Sequence, residues 1–468
     1  MKKLLLTGFM LAAMVSQAQS WVPQGTKFPA NFGVDEIDIV DANTVWIFAY
    51  DGRPLDQGGG TYPKIVSRTT NGGTTWTANN ITGPGSNTLV SDLSAIDGNT
   101  AWVVTAPASA GTNANRIWKT TNGGTSWTQQ TVGYTSGSFA NHIYFWDANN
   151  GWTSGDPLNG KFEMFKTSNG GSTWTAVPGA PVPVNGDDFT YVGLKEVVGD
   201  NIWIGTSVGR ILHSPDRGNT WTGNYSPVLD FGGVITCGSS GSMAFKDANN
   251  GLLITVDGAG QQGATCTPTP ANAFATLYTT SDGGANWDAL APNGTWFFGD
   301  IKYVPGTANT YVTSGNNSAA MGGQGAGSAY STDGGLNWTI IDNIPGAEGG
   351  QRGQLAFLNP TTGWAGYFSD GPTGSEGIFK FSGNLALGVS DNAVKSNLKV
   401  YPNPATDIVN ISANRKIENV TVMDMTGKKV QSFKAGNQIN VSSLAKGIYI
   451  LQVYYGEGAV ENTKLIKK

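Results

Sequence analysis

The stretch Thr69–Trp76, TTNGGTTW, returns as TTNGGTSW from Thr120, TSNGGSTW from Thr167, SPDRGNTW from Ser214, TSDGGANW from Thr280 and STDGGLNW from Ser331. Six copies of one text are beyond chance. Their closing tryptophans stand 47 to 66 residues apart, the span of four short strands with turns. The third position, held by Asn71, Asn122, Asn169, Asp216, Asp282 and Asp333, suits a turn. There the side chain can bond the backbone two residues on and tolerates a left-handed conformation. Gly at the fifth position supplies a positive φ, and the Trp fills the gap beside the next strand.

Around each copy the same order of segments recurs. An apolar first strand (Ile37–Ile39, Leu93–Ile96, Ile143–Phe145, Leu194–Val197, Met243–Phe245, Ile301–Val304, Leu355–Phe357) turns into a second marked by Trp46, Trp102, Trp152, Trp203, Leu252, Tyr311 and Trp364. A third strand runs into the eight-residue text, and a fourth begins at its Trp. First strands number seven, although the text occurs six times. The seventh unit stops after its third strand at Ser382, and the segment around Trp21 reads like the missing fourth strand. The expectation is an all-β chain: a seven-bladed β-propeller closed by Trp21 over residues 19–382, which leaves only short, protected sheet edges.

Composition agrees with this reading. Of 468 residues 66 are Gly and only 13% are charged, while 15 Trp, 15 Tyr and 19 Phe supply core. Lys2 and Lys3, the apolar run Leu4–Val15 and the small-x-small site Ser16-Gln17-Ala18 read as a signal peptide over residues 1–18. No later apolar run is long enough to cross a bilayer as a helix. In an oxidising compartment Cys237 and Cys266, the only two cysteines, are expected to pair and pin the long insertion of the fifth unit. Residues 19–397 carry a net charge of −12, which argues against nucleic acid, anionic membranes and acidic glycans as partners.

The repeated text resembles the Asp-box (BNR-like) repeat of sialidases, sortilin-type receptors, oligoxyloglucan-processing glycoside hydrolases and photosystem II assembly factor-type propellers. That resemblance implies a structural box lying away from the ligand face. After a linker over 383–397 the text changes. LKVYPNPATDIVNIS, VTVMDMTGKKV, SSLAKGIYILQV and a basic terminus give about 70 residues of alternating strands, a small β-sandwich over 398–468. This segment resembles the C-terminal type A sorting domain of the Bacteroidota type IX secretion system, carried by Tyr401, Pro402, Asn403, Pro404, Gly427, Gly447, Tyr449 and Lys464–Lys468. The resemblance implies handling by the type IX machinery and a protein secreted or attached to the outer cell surface.

The boxes join third to fourth strands, so the opposite, unboxed face is the working face. It carries the insertions 51–63, 106–115, 257–274 and 315–327. Aligning the first strands places Glu36, Asp92, His142, Gly193, Ser242, Asp300 and Gln354 in one ring near the channel mouth. Functionally, Glu36, Asp92 and Asp300 are the carboxylates to test as general acid and base on a glycosidic bond, with His142 and Gln354 as ligand contacts; the competing reading is a solvated channel lining. Trp296 is the best sugar-stacking candidate, with core packing the competing reading. Too few Arg cluster for a sialidase, no phosphate loop, zinc spacing or nucleophile elbow is present, and the DANNG segments at Asp147 and Asp247 read as turns, so no metal or cofactor is expected.

The leading reading is a binding or scaffold module exported by the type IX route, its partner a neutral glycan or a surface protein. The alternative is an extracellular glycoside hydrolase acting on a neutral polysaccharide. A third is a propeller that helps other surface proteins assemble.

Overall fold

The structure, a computed structural model, describes residues 19–53, 59–109, 114–135, 137–236, 239–257, 274–315, 325–344, 352–367, 377–387, 398–413, 416–424, 428–434, 436–455 and 460–468. The expected signal peptide, Cys237, Cys266 and Gly427 lie outside these residues, as do most of the longer insertions. Contacts divide the chain into two compact units, residues 1–390 and 391–468.

The first unit holds seven four-stranded antiparallel sheets among the described residues. Their inner strands are Phe32–Ile39, Thr88–Ala95, Ala140–Phe145, Thr190–Val198, Ser239–Phe245, Asp300–Tyr303 and Arg352–Asn359. Each lies against the inner strands of its two neighbours, and the first lies against the last, so the sheets form a closed ring. In the last sheet the outer strand is Ser20–Gln24, which pairs antiparallel with Ile378–Ser382, Trp21 opposite Phe381. The start of the described chain therefore completes the blade that its end leaves unfinished.

Three kinds of bond hold this seam. Trp21 packs edge-on against Phe381 with ring centres 5.4 Å apart and against Phe357 at 6.0 Å. Its indole N–H donates to Ser328 Oγ of the neighbouring sheet at 2.8 Å. Gln24 Oε1 accepts from the indole N–H groups of both Trp76 and Trp364 at 3.2 Å, tying the first box to the last blade. Leu385, in the stretch expected to be linker, is buried in the same core, and its N–H donates to Pro360 O at 2.9 Å. Leu385 thus belongs to this core.

Each box is a closed hydrogen-bonded turn, with one difference from the sequence reading. The third-position oxygen accepts from the backbone N–H four residues on, not two: Asn71 Oδ1 from Thr75 and Asp282 Oδ1 from Asn286, both at 2.9 Å. The first-position hydroxyl accepts the N–H of the fifth-position glycine, as Thr120 does from Gly124 at 3.0 Å. Second-strand tryptophans reach the box of the following blade: Trp102 Nε1 donates to Gly170 O at 3.3 Å and Trp203 Nε1 to Gly283 O at 2.9 Å. The boxes are staples between blades. In the sixth sheet Val312, not Tyr311, takes the Trp position, because Tyr311 lies opposite the box residue Ser331 as Ala101 lies opposite Thr120.

The second unit has a three-stranded sheet (Lys399–Tyr401, Ile408–Ser412, Gln438–Asn440) and a four-stranded sheet ordered Lys429–Lys434, Ile417–Met423, Gly447–Tyr455, Val460–Lys467. Val409, Ile411, Val420, Val422, Leu451, Val453 and Leu465 form its core. Asn403, between two cis prolyl bonds to Pro402 and Pro404, donates to Lys464 O at 2.7 Å and accepts from Ile466 N at 2.8 Å. The YPNP turn and the basic terminus are therefore one local structure.

Because Trp21 is buried at a seam that spans the whole chain, Trp21→Ala should lower the unfolding free energy by roughly 3–5 kcal/mol. Urea titration followed by tryptophan fluorescence measures this; an unchanged midpoint would mean that the seam does not hold the ring.

Candidate functional site

An inner strand is the edge of its sheet, so half of its backbone N–H groups have no ladder partner and need another acceptor. Here the neighbouring blade supplies it. Asp92 Oδ2 accepts from Ile143 N at 2.7 Å, Asp300 Oδ2 from Leu355 N at 2.8 Å, Asp38 Oδ2 from Ala95 N at 2.6 Å, Glu36 Oε2 from Leu93 N at 3.2 Å and Ser94 Oγ from Phe145 N at 3.0 Å. The channel carboxylates link blades.

Their charge is answered by a lysine that the sequence reading did not single out. Lys195 Nζ donates to Asp92 Oδ1 at 2.6 Å and to Glu36 Oε1 at 2.9 Å. Counting from the residue opposite the second-strand Trp, Lys195 occupies the slot of Ile37, Leu93, Ile143, Met243, Ile301 and Leu355. A register shift between Thr190 and Lys195, with Gly193 at φ 66°, displaces the strand. The ring position of this blade is therefore Leu194 rather than Gly193. A charged residue in an otherwise apolar slot was the available signal.

Burial opposes ionisation of Glu36, but the Lys195 charge and the hydrogen bonds it receives hold it below its usual value. Burial, and then Glu36, push Asp92 up. Lys302 makes a second such bridge to Glu196 and stands 4.0 Å from Asp300. His142 is fully buried, its Nδ1 2.9 Å from Ser154 Oγ, and burial lowers its pKa to about 3, so it is a neutral wall residue and not a ligand contact at the mouth. Gln354 lines the channel beside Gly193 and Lys195. Trp296 packs on the boxed Trp338 with centres 6.3 Å apart and is half-buried against a core cluster, rather than standing as a fully exposed platform.

Two cavities open along the inner strands. One, of about 460 Å³, includes the Lys195 bridge and runs along the inner strands toward their boxed ends, lined by Glu36, Asp38, Lys195, Glu196, Lys302 and Gln354 among others. At their beginnings, on the unboxed face, is a cavity of about 590 Å³. Its walls are Tyr50, Tyr62, Leu89, Val90, Phe139, Phe189, Tyr191, Val192 and Val234, and Asp35, Asp51, Asn141 and Asp156 provide its polar groups. None of these was a candidate from sequence; Asp35 and Asn141 stand at the bulge immediately before the ring residues Glu36 and His142, a position the ring alignment passed over.

Two aromatic walls are seated on glycines. A Cβ on Gly33 would lie 2.3 Å from the Tyr50 ring, and one on Gly232 would lie 2.4 Å from that of Tyr191. Tyr191 Oη donates to Asp230 Oδ1 at 2.6 Å, which fixes its tilt. Asn141 Nδ2 donates to Asp156 Oδ1 at 2.7 Å and to Thr190 Oγ1 at 2.9 Å. Burial raises Asp156 to about 7, and burial with the neighbouring Glu36 does the same for Asp35. The rim is apolar: Tyr62, Val192 and Val234 are exposed there, and Val182, Val184 and Leu229 are exposed on the connections of the same end.

Residues 399–468 match the family described as secretion system C-terminal sorting domain. No curated protein matches the chain. Among solved structures the chain is similar to YCF48 from Cyanidioschyzon merolae, at 15% identity over 78% of this chain and 99% of that one, TM-score 0.51. It is similar to YCF48 bound to D1 peptide (17%, 78% and 97%, TM-score 0.50) and to a GH74 xyloglucanase from Xanthomonas campestris (10%, 96% and 74%, TM-score 0.50). At such identities the likeness is one of fold: a β-propeller. With its type IX sorting domain, the protein is secreted or held at the cell surface.

Two measurements test the electrostatics. Lys195→Met leaves Glu36 and Asp92 buried without their cation and should cost roughly 3–5 kcal/mol at pH 7, with the loss shrinking as the carboxyls protonate in acid. Asp35, Asp38 and Asp156 have folded pKa values of about 7 against an ordinary 3.8. The folded state then binds protons more tightly than the unfolded one, so their contribution is complete below the unfolded pKa and is lost as pH rises through about 7. Asp35→Asn should raise the melting midpoint more at pH 8 than at pH 5; an equal rise at both would contradict this.

Proposed function

We propose that this exported propeller is a binding module that recognises its partner through the aromatic cavity of the unboxed face. The observation that carries the reading is the contrast between the two sets of carboxyl groups. Glu36, Asp92 and Asp300 are engaged by Lys195, by Ser242 Oγ (to Asp300 at 2.8 Å) and by backbone N–H groups of neighbouring blades. A general acid or base must be free to exchange a proton with substrate, and a group that anchors two blades is poorly placed for that. The cavity carboxyls instead stand among aromatic and aliphatic walls, the composition expected of a recognition site.

The alternative, hydrolysis of a neutral polysaccharide by Glu36, Asp92 and Asp300, draws on the fold shared with a xyloglucanase, and a shared propeller is compatible with unrelated activities. The peptide named with YCF48 is a property of that protein; here it supports testing peptides beside glycans.

Wild type and Val192→Trp, which places an indole at the exposed rim, should be screened against peptide and neutral-oligosaccharide arrays. Val192→Trp is expected to weaken ligand retention about 10-fold or more, without reducing-end release by either protein. Retention indifferent to Val192→Trp would remove the cavity from the reading, and sugar release abolished by Asp92→Asn in a folded protein would establish the hydrolase instead.

A further inference from the structure

The polar atoms left over in the cavity of the unboxed face are acceptors. Asn141 is 1% exposed, its Nδ2 is engaged by Phe139 O, Asp156 and Thr190, and its Oδ1 is buried without a partner among the described residues. Asp156 accepts from Asn141 and Thr190 through Oδ1 alone. Asp35 has no ion pair among the described residues. The charged donors nearby and Tyr191 are committed: Tyr191 Oη to Asp230, Arg53 to Asp51 at 2.8 Å, and Lys195 to Glu36 and Asp92, which leaves the neutral Tyr62 hydroxyl at the exposed rim. Lys64, behind the rim, donates to Tyr62 O at 3.2 Å and Ser86 O at 3.4 Å.

The same asymmetry runs through the sequence of this face. The insertions 51–63, 106–115, 257–274 and 315–327 contain no Lys and a single Arg, Arg53. Arg210 and Arg352, which begin strands at this end, are paired with Asp188 at 2.5 Å and Asp342 at 2.7 Å.

We propose that the cavity takes a lysine or arginine side chain of a polypeptide partner, its ammonium or guanidinium between Asp35, Asp156 and Asn141 Oδ1 and its methylene stem against the aromatic walls. A cation on an apolar stem satisfies every feature at once. It donates to the leftover acceptors, it gains from the faces of Tyr50, Phe139 and Phe189, and its stem covers Leu89, Val90 and Val192. A neutral sugar offers hydroxyls but no charge for the two carboxyls. This inference rests on the cavity being the binding site and adds the chemistry of its occupant.

Titration calorimetry of the full mature chain with Ac-Gly-Lys-Gly-NH2 and Ac-Gly-Arg-Gly-NH2, against norleucine and citrulline counterparts and glucosamine oligomers, tests it. The basic peptides should bind about 10-fold tighter than their neutral counterparts at pH 8 and weaken toward pH 5.5, since Asp35 and Asp156 lose charge below about 7. Asp35→Asn and Asp156→Asn should each remove most of that preference and flatten the pH profile, while a melting curve confirms the fold. Equal binding of neutral and basic peptides, both abolished by Val192→Trp, would overturn the cationic occupant while leaving the cavity as the binding site. A preference for glucosamine oligomers, or basic-peptide binding unaffected by the Asn variants, would overturn the proposal. So would no binding by any of these probes, and the array response to Val192→Trp would then decide separately whether the cavity binds another class of ligand.

Discussion

A ring of separate sheets depends on how the inner edge strands satisfy each other's backbone. Each blade presents unpaired N–H groups toward its neighbour, and an unsatisfied buried amide costs about 1–3 kcal/mol. Side chains from the adjacent blade answer: Asp92 for Ile143, Asp300 for Leu355, Asp38 for Ala95, Glu36 for Leu93, Ser94 for Phe145. The requirement explains why the channel is acidic without invoking chemistry on a substrate. It also explains Lys195, because carboxylates brought together for this purpose repel one another and lose hydration unless a cation stands between them.

At the circumference the boxes do the corresponding work. Trp102 and Trp203 reach from one blade into the box of the next, and Gln24 accepts from the tryptophans of two blades across the seam. The inner bonds are made mainly to carboxyl groups, and the outer ones by indole and lysine donors to neutral acceptors. The two ends of each sheet are thus held by interactions with different dependence on salt and pH.

The frame was readable from sequence because its constraints repeat. A turn that needs two left-handed residues and a filling Trp writes the same eight letters each time, and the extra first strand at Leu355–Phe357 announced a blade whose missing strand had to come from around Trp21. The sorting domain was readable for another reason: Asn403 and the Lys464–Lys468 terminus form one hydrogen-bonded unit, so both ends of the domain carry recognisable text. Departures from the repeat were harder. The shift at Gly193 moved Lys195 into an apolar slot and hid it by one position, and Tyr311 displaced the apparent Trp position of the sixth blade by the same amount. The cavity left no signature in the strand alignment, since it gathers the bulge residues Asp35 and Asn141 with Asp156 of a second strand and Tyr191 of the shifted fourth blade.

The distribution of cations joins the frame to the cavity. Arg68, Lys119 and Lys380 lie at the boxed ends of their strands, over the faces of Trp46 at 5.4 Å, Trp102 at 4.6 Å and Trp364 at 5.2 Å, while Arg217 lies over Trp146 at 5.4 Å from within a box. Lys119 and Lys380 also donate to the box carbonyls of Gly170 and Gly72. These cations are held at the boxed end of the ring by the staples that close it. With several Lys and Arg held at the boxes, the cations nearest the cavity are few: Arg53 is paired with Asp51, and Lys64 donates to the carbonyls of Tyr62 and Ser86. The two cavity carboxyls remain raised toward neutrality when alone and ready to ionise against an incoming cation, so the same pairing that secures the blades sets the electrostatic preference of the opposite face.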